Sequence, residues 1–244
     1  MSRRFAVVYE AQADFQIATE LADRVLVEFI DWMDEKDLEN QRVWLRQIDQ
    51  TPLTWTAIKK AAMNLRIRVS GHFDEEPAHP DARAARRAIR FLLYKIPDLA
   101  GLLLIRDQDD QPNRRAGLEQ ARKEVSGQIP VVIGLAVVER ESWVVSGFEP
   151  LDKVEESRLE AERRELGFDP RLRSHELTAC KDDTAKRSPK RVLGELSGGD
   201  RDRECSCWKE TALDVLRERG AENGLTLYLK ELRERLIPLI DRAP

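Results

Sequence analysis

Long apolar runs are missing from this chain of 244 residues. No stretch approaches the roughly 20 consecutive apolar residues that a membrane-spanning helix needs, so no membrane partner is expected. Cysteine is scarce: Cys180, Cys205 and Cys207 are the only three. An odd count, with no secretion signal after Met1-Ser2-Arg3-Arg4, excludes a disulfide scaffold and predicts a reducing, cytoplasmic setting. One residue separates Cys205 from Cys207, and His175 and Cys180 lie far upstream, which is not the spacing of a zinc knuckle. Aromatic residues are few, at 6%, and there is no internal repeat or low-complexity tract. An excess of one charge is lacking too. With 41 basic and 45 acidic residues the net charge is −4, which excludes a surface that is basic all over but not a local basic groove.

Charge of both signs is abundant. Charged residues are 35% of the chain against a usual quarter, and 41% apolar residues are enough to bury a sizeable core. Thirty of the basic residues are arginine. Arginine suits bidentate phosphate contacts, although GC-rich coding explains the excess more simply.

Apolar patterning orders the chain. Residues 5–9 read as a buried strand. Phe15, Ala18, Ala22, Val25, Leu26 and Phe29 keep a helical period over 12–30. The stretch 31–56 is mixed, with a strand over 42–48, and Gly and Pro make 70–80 a loop. Asp81 is placed to cap a helix over 81–94. Apolar runs at 100–105 and 129–138 read as central parallel strands, with a helix over 114–125 between them. A charged helix over 151–166 follows. A polar stretch, 181–204, encloses a short helix at 191–196. Amphipathic helices over 208–219 and 225–240 close the chain. The expectation is an α/β fold with a doubly wound, mostly parallel sheet flanked by helices, and a helical C-terminal extension. Residues 1–148 would form the α/β domain, with a helical insertion at about 31–99, and 149–244 a mainly helical region.

Three of these strands run into carboxylates. Glu10 follows the first, with Asp14 one helical turn on. Asp107 and Asp109 follow the second, and Glu139 and Glu141 the third. Ligands of such sheets bind beyond the carboxyl ends of the strands. Carboxylates clustered there repel one another unless a cation lies between them. Mg²⁺, or Mn²⁺ in its place, prefers carboxylate oxygen. A pair of such ions can activate water against a phosphodiester.

Glu10-Ala-Gln-Ala-Asp14 resembles the Glu-Gly-x-x-Asp element of TOPRIM domains, and Asp107-Gln-Asp109 is similar to their Asp-x-Asp element. Glu139-Arg-Glu141-Ser-Trp143 looks like the Glu-x-Glu-x-Trp segment of the prokaryotic RloB-like TOPRIM group, related to OLD-family nucleases. Pro189-Lys190 loosely matches a Pro-Lys pair of that group. The resemblance covers about residues 5–145. Ala11 stands where the family has glycine, and no glycine follows Asp109. The resemblance implies Glu10 as metal ligand or general base, and Asp107 and Asp109 as catalytic Mg²⁺ ligands. Asp14, Glu139 and Glu141 would complete the metal site, and Lys190 would bind phosphate. It also implies a nuclease acting on DNA or RNA, in a bacterial defence or mobile-element system beside an ATPase partner.

Other readings stand beside these. Asp14 is equally a first-turn acid favoured by the helix dipole. Trp143 reads as a core anchor, and the three histidines as incidental. The missing glycines suit a non-catalytic TOPRIM-like binding or regulatory subunit, with the C-terminal helices as an oligomer or partner surface. Asp107-x-Asp109 also resembles the haloacid-dehalogenase-like phosphatases, but their motif follows the first strand and here a strand–helix unit precedes it.

Overall fold

Phe5, Ala6, Val7 and Val8 lose all contact with solvent. They form the inner part of strand β1 (Arg3–Val8). The computed structural model describes residues 2–73, 76–178 and 182–241. In it β1 pairs in parallel with β2 (Arg42–Leu45) on one side and β3 (Leu99–Asp107) on the other. With β4 (Val131–Ala136) the sheet has four strands, all parallel, in the order β2-β1-β3-β4, and helices flank it. β1 and β4 read as near-continuous apolar runs because a parallel sheet covered by helices has no wet face.

Helix α1 (Gln12–Phe29) buries Ile17, Ala18, Leu21, Ala22, Val25 and Leu26. Each large aliphatic side chain buried there contributes about 1.5–3 kcal/mol. Phe15 and Phe29, expected on that face, are half-buried at its edges, and Phe15 meets the Tyr9 ring edge-on at 5.5 Å. The stretch 31–99 holds more than helices. It supplies the edge strand β2, a small hairpin pairing Gln47–Ile48 with Thr51–Pro52, and a second pairing His72–Phe73 with Glu76–Pro77. Helix α2 (Trp55–Asn64) starts at Thr54, whose hydroxyl accepts the Ala57 N–H at 3.2 Å.

Helix α3 (Ala82–Lys95) corrects the expectation for Asp81. Asp81 stands at the N-cap position in the left-handed region, φ 63°, but its side chain accepts no capping hydrogen bond. Its carboxylate is drawn away instead, to Arg114 at 2.5 Å and Arg106 at 3.2 Å. Two charged partners outcompete one backbone N–H, since charge-assisted contacts are about twice as strong. Helix α4 (Arg114–Glu124) follows.

The chain gathers into two compact units, each discontinuous in sequence. The first comprises Met1–Arg106, Gln111–Gly134 and Lys230–Pro244. Inside it, buried Glu231 accepts from Arg122 Nη1 at 2.7 Å, Arg115 Nη2 at 2.9 Å and the Ile133 N–H at 3.3 Å.

The second unit comprises Asp107–Asp110 and Leu135–Leu229. It carries α5 (Glu141–Ser146), α6 (Lys153–Leu166), α7 (Pro189–Ser197), α8 (Arg201–Lys209) and α9 (Leu213–Arg219). The segment expected as one helix over 208–219 is therefore two pieces. Thr211 lies between them, and its hydroxyl donates to the Gly147 carbonyl at 2.6 Å. The segment 225–240 likewise divides, into α10 (Leu225–Arg235) and Ile237–Ile240. Trp143 is a core anchor as expected, and it sits on helix α5. Its ring stacks on Tyr228 at 5.2 Å, and its Nε1 donates to the Asn223 carbonyl at 2.9 Å. Asn223, wholly buried, donates to the Ser142 carbonyl, Ser146 Oγ and Ser174 Oγ. Among the described residues no helix is long and apolar enough to cross a membrane.

Candidate functional site

Within the second unit the ends of β3 and β4 run into two tight turns. The Gln108 N–H donates to the Ala136 carbonyl at 2.7 Å, and the Asp109 N–H to the Val138 carbonyl at 3.1 Å. Both turns pass through the left-handed region, Asp109 at φ 47° and Val138 at φ 74°. Aspartate tolerates this conformation, whereas a β-branched valine in it is a true outlier. Such strain costs on the order of 1–3 kcal/mol and tends to collect where function constrains the backbone.

Those turns present Asp109 and Glu139. Burial raises the proton affinity of Glu139 above the ordinary glutamate value, Lys190 opposes the rise, and the charges of Glu141, Asp109 and Asp183 add to it. Four of the residues expected in the site, Asp109, Glu139, Glu141 and Lys190, therefore lie within one electrostatic neighbourhood. Lys190 reaches it from the first turn of α7, where Ser188 Oγ accepts the Arg191 N–H. Its ammonium holds Asp183 Oδ1 at 3.2 Å, and Asp183, Glu139 and Glu141 raise its proton affinity against the opposing effect of burial. Glu141 also accepts from Arg140 Nη2 at 2.6 Å. Asp107, the last residue of β3, is half-buried in the same unit.

Glu10 and Asp14 belong to the first unit. Asp14 Oδ2 accepts the Ala11 N–H at 2.7 Å, so this carboxylate fastens the first turn of α1. Glu10 Oε1 lies 3.4 Å from Arg106 Nε, and the Arg106 guanidinium covers the Trp55 ring at 4.9 Å. Sequence spacing could not show Asp81, Arg106 or Arg114, because their partners are distant in the chain, and Asp183, though only seven residues from Lys190, lies in a polar stretch without apolar patterning. The position of Arg106 directly before Asp107 was the one available signal.

The donor chemistry fits a hard divalent ion, since every candidate ligand is a carboxylate. The gathering does not yet fit: among the described residues no three His, Cys, Asp or Glu side chains are placed to hold a metal ion. The cysteines add nothing to this site. Burial pushes the Cys207 thiol up to about 12, far from the thiolate that binds metal. Cys205 is buried as well, and Cys180 lies outside the described residues. Comparison with family models, with curated proteins and with solved structures gives no match.

Proposed function

We propose that the protein is a Mg²⁺- or Mn²⁺-dependent nuclease of TOPRIM type, cleaving phosphodiester bonds of DNA or RNA in the cytoplasm of a bacterial defence or mobile-element system. The observation that carries this reading is the cluster at the strand ends of the second unit. There burial raises the proton affinity of Glu139, the ammonium of Lys190 opposes the rise, and Glu141, Asp109 and Asp183 add to it. A bound divalent ion would supply an activated water and charge for the leaving oxygen. The chain's own part is separate from that. Lys190 carries the positive charge that a phosphate oxygen would meet, and Asp109 and Val138, the residue before Glu139, stand in the left-handed region in the turns that carry the two carboxylates. Glu139, which holds its proton more tightly than an ordinary glutamate, is the group there that can take up or give back a proton.

Calorimetric titration of Mg²⁺ and Mn²⁺ into the wild type, Asp109→Ala and Glu139→Gln tests the reading. Metal affinity should fall at least tenfold in both variants, with loss of Mn²⁺-dependent cleavage of single- and double-stranded substrates. Equal affinity in all three proteins removes the basis of the proposal.

A second reading has its own support. Asp14 fastens a helix turn, Glu10 faces Arg106, and no three ligating side chains converge among the described residues. A TOPRIM-like regulatory subunit, acting with an ATPase partner or as a homo-oligomer, would keep the fold without the chemistry. Inactivity towards all substrates, alone and with such a partner, would favour it.

A further inference from the structure

The first unit contains a cavity of about 250 Å³ lined by Trp55, Ile58, Lys59, Asp81, Arg87 and Arg106, together with smaller side chains of α2 and α3. Glu10 already faces Arg106 at 3.4 Å from outside the lining, and the lining itself sets three cations against one carboxylate. That carboxylate is already committed, because Asp81 Oδ2 holds Arg114 and Arg106. Arg106 is fixed in plane by the Trp55 ring, and Trp55 is fixed in turn by its Nε1, which donates to the Ile105 carbonyl at 2.9 Å.

The other two cations are unmatched. Arg87 Nε is shut off from solvent and meets no hydrogen-bond acceptor. Among the described residues neither Arg87 nor Lys59 makes an ion pair. Buried donors without an acceptor are rare in folded proteins, and a charged one calls for an acceptor from outside. Planar guanidinium groups, converging with an ammonium on one small space, match an oxyanion carrying several acceptor oxygens and more than one negative charge. The volume lies below that of pockets for drug-sized ligands, so it suits a phosphate group with little attached to it.

We propose that this cavity is a phosphate-binding site, with Arg87 as its central donor, Lys59 at its mouth and Arg106 set in place by Trp55. The phosphate can come from a free nucleotide or from the backbone of a nucleic-acid strand. The proposal needs no divalent ion, so it stands or falls apart from the nuclease reading.

Calorimetry in EDTA tests it, with three probes: inorganic phosphate, a nucleoside monophosphate, and a short oligothymidine without a terminal phosphate. At least one should bind the full-length protein with an affinity that weakens as salt rises. Arg87→Met should weaken it roughly tenfold or more, the loss expected for one charge-assisted hydrogen bond. Lys59→Met should weaken it several-fold. Binding of phosphate and monophosphate alone assigns a terminal phosphate, and binding of the oligothymidine assigns a strand backbone. Circular dichroism checks that Arg87→Met is folded. Where it is not, the exposed Lys59 decides the matter. No binding of any probe to the wild type, or an affinity unchanged in the folded variants, overturns the proposal.

Discussion

Val138 and Glu139 are neighbours in a turn that neither would choose alone. A valine at φ 74° is strained, and the carboxyl beside it is partly withdrawn from water among other carboxylates. The second effect gives a pH dependence with a definite sign. The folded-state pKa of Glu139 is raised above the ordinary value of 4.5. Below that value the side chain is protonated in both states and contributes no difference. As pH rises past it, the unfolded chain ionises while the folded chain still holds its proton. Stability is therefore lost until the folded carboxyl has also ionised. Glu139→Gln removes the group that ionises. The variant should be more stable than the wild type at neutral pH, and the gain should vanish near pH 4. Urea midpoints measured from pH 4 to 8 check this, and a variant less stable at pH 7 than at pH 4 relative to wild type contradicts it. Lys190 does not lose its anchor in the variant, because Asp183 still holds it.

At the scale of the element, the close approach of α4 to the chain entering α3 decides a substitution that helix propensity alone would misjudge. Gly117 lies inside α4, where glycine costs about 1 kcal/mol relative to alanine. A Cβ at that position would lie 1.8 Å from the Pro80 carbonyl oxygen and 2.9 Å from the Ala82 nitrogen. Both are backbone atoms, with no flexible side chain to yield. Gly117→Ala should therefore destabilise, by about 1–3 kcal/mol net, as overpacking against a fixed surface does. A higher thermal midpoint for this variant would sink the argument. Other elements show what was readable beforehand. Strands β1, β3 and β4 follow from their near-continuous apolar runs, and helices α1 and α3 from a helical apolar period, because each buries a face wide enough to pattern its residues. The break between α8 and α9 left no such trace. No glycine or proline marks it, and its visible anchor is the hydrogen bond from Thr211 to Gly147, 64 residues away. The cap expected of Asp81 failed for the same reason, since Arg106 and Arg114 attract its carboxylate from distant positions. Of the candidate site, the carboxylates after β3 and β4 were legible because they follow strand ends, and Lys190 only through the resemblance of Pro189-Lys190 to a family pair. The cationic cavity was not, because Lys59, Arg87 and Arg106 come from three separate elements.

At the scale of the whole molecule, a composition change near residue 148 and the grouping of contacts answer different questions. Composition marks where patterned strands give way to charged helices, whereas contacts return Lys230–Pro244 to the first unit. That return is made by specific groups. Glu231, only 4% exposed, takes Arg115 and Arg122, the Ile133 N–H and Arg235 of its own helix. The Ile240 carbonyl accepts from Arg3 Nη1 at 3.4 Å, and a Leu239 methyl reaches the Gly101 face of β3. A fragment of residues 1–148 keeps Arg115 and Arg122 but loses the buried Glu231, leaving them the more exposed Glu119. Removing one partner of a buried ion pair costs on the order of 3–5 kcal/mol, and the lost apolar cover of β3 adds to it. A domain's total stability is about 5–15 kcal/mol, so the fragment should fail to fold cooperatively. Urea denaturation followed by far- and near-ultraviolet circular dichroism measures this. The fragment should show a broad, low transition and little near-ultraviolet signal, while Glu231→Gln in the full chain should stay folded but melt earlier. A sharp transition of the fragment at the full-length midpoint would mean that Lys230–Ile240 contributes nothing the first unit needs, and that Glu231 is an ornament of the fold and not one of its supports.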